Sequence, residues 1–244
     1  MRCLAWMVLI CAVTAARADD AAKIRCLVVT GGHDFERGPF AAMWDALPGI
    51  AWREVRHPHA YAEFKPEAAA TWDVLVLYDM PQTIPDEAKA DLVALLRAGK
   101  GVLALHHCSG SYPHWDEYET ILGGRYLMAP RTVDGVVQPA STYHEGIDIA
   151  VHVVSPDQPV TKGLTDFGYH DEVYGHMQVS PDVTPLLTCA TEGSSPTVAW
   201  THRYGRSQIV YIQPGHGPGA WGCPSYRQML SQAIAWVRTE SGHD

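Results

Sequence analysis

Three short segments put histidine where a strand would end: Gly31-Gly32-His33-Asp34, Leu105-His106-His107 and Gln213-Pro214-Gly215-His216. Neutral imidazole is the commonest protein metal ligand, and it exchanges protons near neutral pH. One histidine at a strand end is ordinarily a hydrogen-bonding residue. Three such segments on one rim are hard to explain as packing, so the reading is a functional rim. Two further segments, Tyr143-His144-Glu145 and Tyr169-His170-Asp171-Glu172, set imidazole beside carboxylate, which suits a metal or acid–base work. The candidate metal ligands are His33, His106, His170 and His216, around a divalent ion such as zinc. His107 and Glu172 are the candidate catalytic groups, with Glu172 as ligand or general base.

Aromatic residues lie near the same segments. Tyr112, Trp115, Tyr174 and Trp221, with His144, are candidate substrate-binding residues, because aromatic faces pack against sugar rings. His114 and His176 would form a wall of the pocket. His57 and His59 flank Pro58 and read as a surface loop, while His152 and His202 read as structural.

Other chemistries find less support. G-x-S-x-G is absent, which argues against a serine hydrolase. Gly31-Gly32 is followed by histidine and is not G-x-G-x-x-G, so a dinucleotide site is rejected. Cys108 could be a nucleophile with His216 as base, but it lies past the expected elbow position. Paired carboxylates of a glycosidase are not identified by any spacing.

These residues need a scaffold that brings them to one edge. Residues 23–30 are a short apolar run ending in two glycines, as in a buried parallel strand. Residues 39–47 read as a helix, 52–56 as a strand and 72–78 as a strong strand. The clearest helix is 85–98: proline and two acids open it, leucines form its stripe, and Gly99 ends it. A strand follows at 101–105. This rhythm means right-handed βαβ units and a parallel sheet, whose ligands bind beyond the carboxyl ends of the strands. Residues 112–180 are less regular, with a half-exposed strand at 147–154. Strands at 184–188, 197–200 and 208–213, then a helix at 226–237, complete an α/β, doubly wound, mostly parallel sheet with a mixed or antiparallel extension.

Composition bounds the setting. The 244 residues carry a net charge of −9, and an acidic surface disfavours nucleic acid and anionic lipid as partners. Residues 1–18 combine Arg2, an apolar run and Ala16-Arg17-Ala18, the layout of a cleaved signal peptide. The expectation is a secreted or periplasmic protein, with residues 19–244 as one domain and no membrane anchor. Cys26, Cys108, Cys189 and Cys223 would remain, and sequence does not choose among their pairings.

The same segments resemble the ThuA-like (trehalose utilisation) family: VVTGGHDFE at 28–36, DVLVLYDMP at 73–81, GKGVLALHH at 99–107 and VAWTHRYGRSQIVYIQPGH at 198–216. The middle stretches at 141–164 and 167–188 belong to the resemblance too. It implies a class I glutamine amidotransferase-like, flavodoxin-type sandwich and a role in carbohydrate metabolism. His33, His106, His107, His170, Glu172 and His216 match the family's polar motif positions. No amidotransferase cysteine stands at the elbow, where this chain has His106-His107. A Cys108–Cys223 disulfide is a further expectation, since both follow rim segments.

Taken together, the expectation is a metal-assisted enzyme acting on a sugar or 3-keto-glycoside by hydrolysis, elimination or isomerisation. A non-catalytic carbohydrate-binding protein and a cysteine hydrolase using Cys108 are the alternatives. A homo-oligomer is compatible with either.

Overall fold

The structure is a computed structural model that describes residues 23–239; the leader expected at 1–18 lies outside them. The first half repeats strand and helix. In order come β1 (Ile24–Gly31), α1 (Arg37–Asp45), β2 (Ile50–Arg56), a 3₁₀ turn (His59–Phe64) and α2 (Pro66–Ala69). Then follow β3 (Val74–Asp79), α3 (Asp86–Arg97), β4 (Gly101–Leu105) and a second 3₁₀ turn (His106–Gly110). β3 and β4 are buried at every residue, which is why their sequences are unbroken apolar runs rather than alternating ones.

The second half is richer in strands. It holds α4 (Asp116–Leu122), β5 (Gly124–Arg125), a hairpin of β6 (Arg131–Val133) and β7 (Val136–Gln138), β8 (Thr142–Val153) and β9 (Phe167–Gly175). After these come β10 (Gln178–Val179), β11 (Thr184–Cys189), β12 (Thr197–Tyr204), β13 (Ser207–Ile212), α5 (Pro218–Trp221) and α6 (Pro224–Thr239). Nine strands form one sheet in the order β2-β1-β3-β4-β13-β12-β11-β8-β9. The first five are mutually parallel and the rest antiparallel. The parallel part has the flavodoxin-type order, with its switch point between β1 and β3.

Helices cover both faces. α1 and α6 pack Phe40, Met43, Trp44, Leu230 and Ile234 on one side. α3 and α4 pack Leu92, Leu96, Tyr118 and Leu122 on the other. Residues 112–180, read from sequence as irregular, in fact contain α4, β9 and the hairpin. β9 escapes a periodicity scan because neither of its faces is exposed along its second half, so its pattern does not alternate.

All four described cysteines are free thiols. Cys108 belongs to the apolar cluster beneath α3 and α4, whereas Cys223 packs against the cluster on the opposite side. The expected Cys108–Cys223 disulfide is therefore corrected: the sheet stands between them.

Candidate functional site

Beyond the carboxyl ends of β4 and β13, three segments meet. His106 starts the turn after β4 with a φ of 49°, a left-handed conformation that non-glycine residues adopt where surroundings enforce it. Its Nδ1 lies 2.6 Å from the Gln213 carbonyl, which can only accept, so the neutral ring carries its proton there. Nε2 is left with its lone pair. That atom faces the Tyr174 hydroxyl at 2.7 Å, Nδ1 of His216 at 3.2 Å and a Glu172 oxygen at 3.2 Å. The other Glu172 oxygen is 3.6 Å from His216 Nδ1. Ligand atoms of His106, Glu172 and His216 all lie within 4.8 Å of one another, a donor set that fits a borderline metal such as zinc.

The surroundings hold this trio in place. Asp171 accepts from the backbone N–H groups of Gly215 and His216, at 3.1 and 2.9 Å, fixing the loop after β13. Tyr78 donates to the carbonyls of Gly215 and His216 from below. Burial raises the Asp171 carboxyl above its usual range. Burial also works against the charge on Glu172, but where His106 and His216 take up a second proton, the hydrogen bond and charge of His106 and the charge of His216 prevail and hold its carboxyl below the usual range.

His33 and His107 form a second layer. Their rings stack with centroids 4.4 Å apart, and His33 meets the edge of His216 at 5.8 Å. His33 Nδ1 is tied to the Asp34 carbonyl at 2.8 Å. His107 is 2% exposed, and neither of its ring nitrogens has a hydrogen-bond partner. Burial, then the neighbouring imidazoles, pushes it well below the ordinary histidine range, so it is neutral. Burial lowers His33 as well. A cavity opens beside this layer, lined by His33, His107, Glu172 and Tyr174 and walled by Met80, Met128, Tyr126, Tyr143 and Glu145.

Several expected positions lie elsewhere. His170 is not in the trio: its ring is largely exposed and bonded to Asp148 at 2.8 Å. His33 adjoins the trio through ring contacts without joining its donor atoms. Tyr112 and Trp115 border a separate small pocket with His114, because the chain leaves the 3₁₀ turn away from the cavity. Trp221 is buried against Phe40 and Tyr78, where its Nε1 supports the Gly215 carbonyl. His144 points over Gly193, while its neighbours Tyr143 and Glu145 face the cavity. Of the substrate-binding candidates, Tyr174 alone lines it.

Sequence reading missed His57. Rather than a surface loop residue, it is buried and its Nε2 pairs with Asp79 at 2.6 Å. Cys108 is fully buried and does not line the cavity, and burial raises its thiol well above the ordinary range, so it offers no thiolate there.

A flavodoxin-type sandwich with an imidazole–carboxylate cluster above its sheet defines the class of protein. The family model for ThuA, described as trehalose utilisation, matches residues 25–237, and the chain belongs to that family. No curated protein matches the sequence. Among solved structures, a ThuA-like protein from Parabacteroides merdae is similar with a TM-score of 0.75 at 17% identity, covering 91% of this chain and 92% of its own. A ThuA-like protein from Bacteroides uniformis aligns with a TM-score of 0.64 at 16% identity, over 88% and 91%. From Thermoplasma acidophilum, a protein described as part of a GMP synthase aligns at 0.51 and 13%, over 89% and 95%. These likenesses show the fold.

Proposed function

We propose that the chain is a metal-assisted enzyme acting on a sugar or 3-keto-glycoside, by hydrolysis, elimination or isomerisation. The observation that carries this reading is the convergence of His106, Glu172 and His216 from three distant segments. The family's link to trehalose utilisation supports the substrate class. The leader-like residues 1–18 support action outside the cytoplasm.

His106 through Nε2, His216 through Nδ1 and Glu172 would hold a divalent ion such as zinc. When bound, such an ion polarises a carbonyl or hydroxyl oxygen. The Gln213 carbonyl orients the His106 imidazole, an outer contact on which such ligands ordinarily depend, and the Asp171 carboxyl fixes the backbone that carries His216. His107, neutral and with free nitrogens at the cavity wall, takes the proton from a substrate hydroxyl or from the acidic C–H beside a keto group. Tyr126, Tyr143, Met80 and Met128 line the same cavity, where their aromatic and apolar faces would pack against a sugar ring.

Elemental analysis of protein purified without a histidine tag tests the reading. The expected result is one equivalent of zinc or a similar ion, lost in His216→Ala and Glu172→Gln. Absence of stoichiometric metal, with no rescue of turnover on 3-keto-glycosides by added zinc, overturns it. A mere binding protein would retain partial sugar affinity in His107→Ala, whereas an enzyme loses turnover.

A further inference from the structure

The cavity beside the trio has two kinds of wall. His33, His107, Glu145 and Glu172 supply its ionisable groups. Tyr174 stands next to the trio, its hydroxyl 2.7 Å from His106 Nε2, and the Tyr126 ring lies 5.0 Å from its own. Met80, Gly110 and Met128 are a wall of another sort. A Cβ on Gly110 would meet the Met80 sulfur at 3.3 Å and the Met128 sulfur at 3.7 Å, so the two thioethers flank bare backbone there.

Apolar surface is also left uncovered along this wall. Six large apolar side chains are exposed among the described residues, and five of them are Met128, Val133, Val136, Val137 and Tyr143. They fall in one segment that leaves the cavity wall at Met128, runs through the β6–β7 hairpin and returns to the wall at Tyr143. The hairpin is held at its stem, where Ser141 donates its N–H to the Leu127 carbonyl and accepts the Leu127 N–H on Oγ, both at 2.9 Å. Exposed apolar surface gathered in this way marks a contact site.

A pyranose carries hydroxyls around its edge, and each one withdrawn from water needs a partner. Thioethers are weak acceptors, so sugar hydroxyls gain little between Met80 and Met128. A flat aromatic group needs no such partner, and methionine sulfur and tyrosine rings both pack favourably against it. His107 independently points to a ligand in this same cavity: its imidazole is 2% exposed, lines the wall and has neither nitrogen hydrogen-bonded.

We propose that Met80, Gly110, Met128 and Tyr143 form an aglycone subsite, and that the glycosides taken by this site carry an aromatic group on the anomeric oxygen. The proposal rests on the proposed function for the sugar itself. The apolar wall and its exposed margin come from the cavity alone.

Calorimetric titration of zinc-loaded protein with phenyl and methyl glucosides, each as both anomers, tests it. For the anomer that binds, the phenyl glucoside is expected to bind at least about tenfold more tightly than the methyl glucoside. Met128→Ser/Tyr143→Ser should shrink that ratio; both side chains are largely exposed, so the fold should hold. Any loss of packing against the sugar is common to the two glucosides, so the change in ratio reads the aglycone. A ratio near one, an unchanged ratio in the variant, or no saturable binding by any of the four overturns the proposal. So does self-association that the variant abolishes while wild type shows no phenyl preference, which would assign the exposed margin to a second copy of the chain. The wall lies outside the donor set of the trio, so the ratio should persist after zinc is removed. A phenyl preference in protein found to hold no metal would therefore support the subsite while the metal reading fails.

Discussion

The Gln213 carbonyl and Nδ1 of His106 stand 2.6 Å apart, and this one contact chooses which face of the imidazole is available for chemistry. Gln213 follows β13 and His106 follows β4, two strands paired in parallel register. The junction of those strands therefore dictates the protonation pattern of the ring above it.

His106→Asn separates the two duties of this residue. Asparagine tolerates a left-handed backbone and can still donate to the Gln213 carbonyl, but offers nothing at the position of Nε2. Zinc affinity should fall by about 100-fold or more, with Tm lowered only slightly. Calorimetry and thermal melts check it; wild-type affinity in the variant would remove His106 from the ligand set.

Gly32 links β1 to His33 with a φ of +84°, and a Cβ there would sit 2.4 Å from the Met80 carbonyl group. Gly32→Ala should cost about 2 kcal/mol or more, lowering Tm by roughly 4–8 °C. Gly49→Ala is the control, since φ there is +72° but nothing lies within 4 Å. Equal losses in the two variants would contradict the close approach.

Asp79 gives a pH signature. Burial raises its carboxyl above the usual range, against the opposing pull of His57. The folded state then holds this proton more tightly than the unfolded chain. Stability from the group is fully present below about pH 3.9 and is lost as pH rises through the higher folded value. The deficit of Asp79→Asn relative to wild type should be largest below about pH 3.9 and shrink as pH rises above it in urea unfolding. A deficit that stays flat or grows contradicts this sign.

Cys108 should be silent in the native protein. Thiol alkylation is expected to label half-buried Cys223 first and to reach Cys108 only on unfolding, leaving zinc content unchanged. Cys108→Ala should retain the metal and lose about 1 kcal/mol of stability. Rapid native labelling of Cys108, with loss of turnover, would restore the cysteine reading.

The parallel half of the fold was legible because both faces of its strands are covered, so β1, β3 and β4 are plain apolar runs that end at the rim. The glycines after β1 and the prolines and glycines after β13 mark where it turns. The facing wall was less legible. In a strand, adjacent residues point to opposite faces, so an imidazole and a carboxylate side by side in sequence do not ordinarily share one. On β8 that rule sends Tyr143 and Glu145 to the cavity and His144 away. On β9 it divides the neighbours: Glu172 joins the trio, while Asp171 braces the loop behind His216. His57 was missed because its partner, Asp79, is 22 residues away and meets it only when β1 lies between β2 and β3. Tyr112, Trp115 and Trp221 were close in sequence to rim residues, but helix entry and core packing turn them elsewhere.

β9 is the last strand of the sheet, yet it supplies Glu172 and Tyr174. Its outer side is closed by α5, whose Gly219 approaches the His170 carbonyl so closely that a Cβ would lie 1.7 Å from it, and by the loop whose N–H groups Asp171 takes. An uncovered border of this kind would be a template on which a foreign strand could zip. Here α5, which begins two residues after His216, lies against that border at the His170 carbonyl, so the chain that carries the centre's second imidazole also shields part of the sheet's edge.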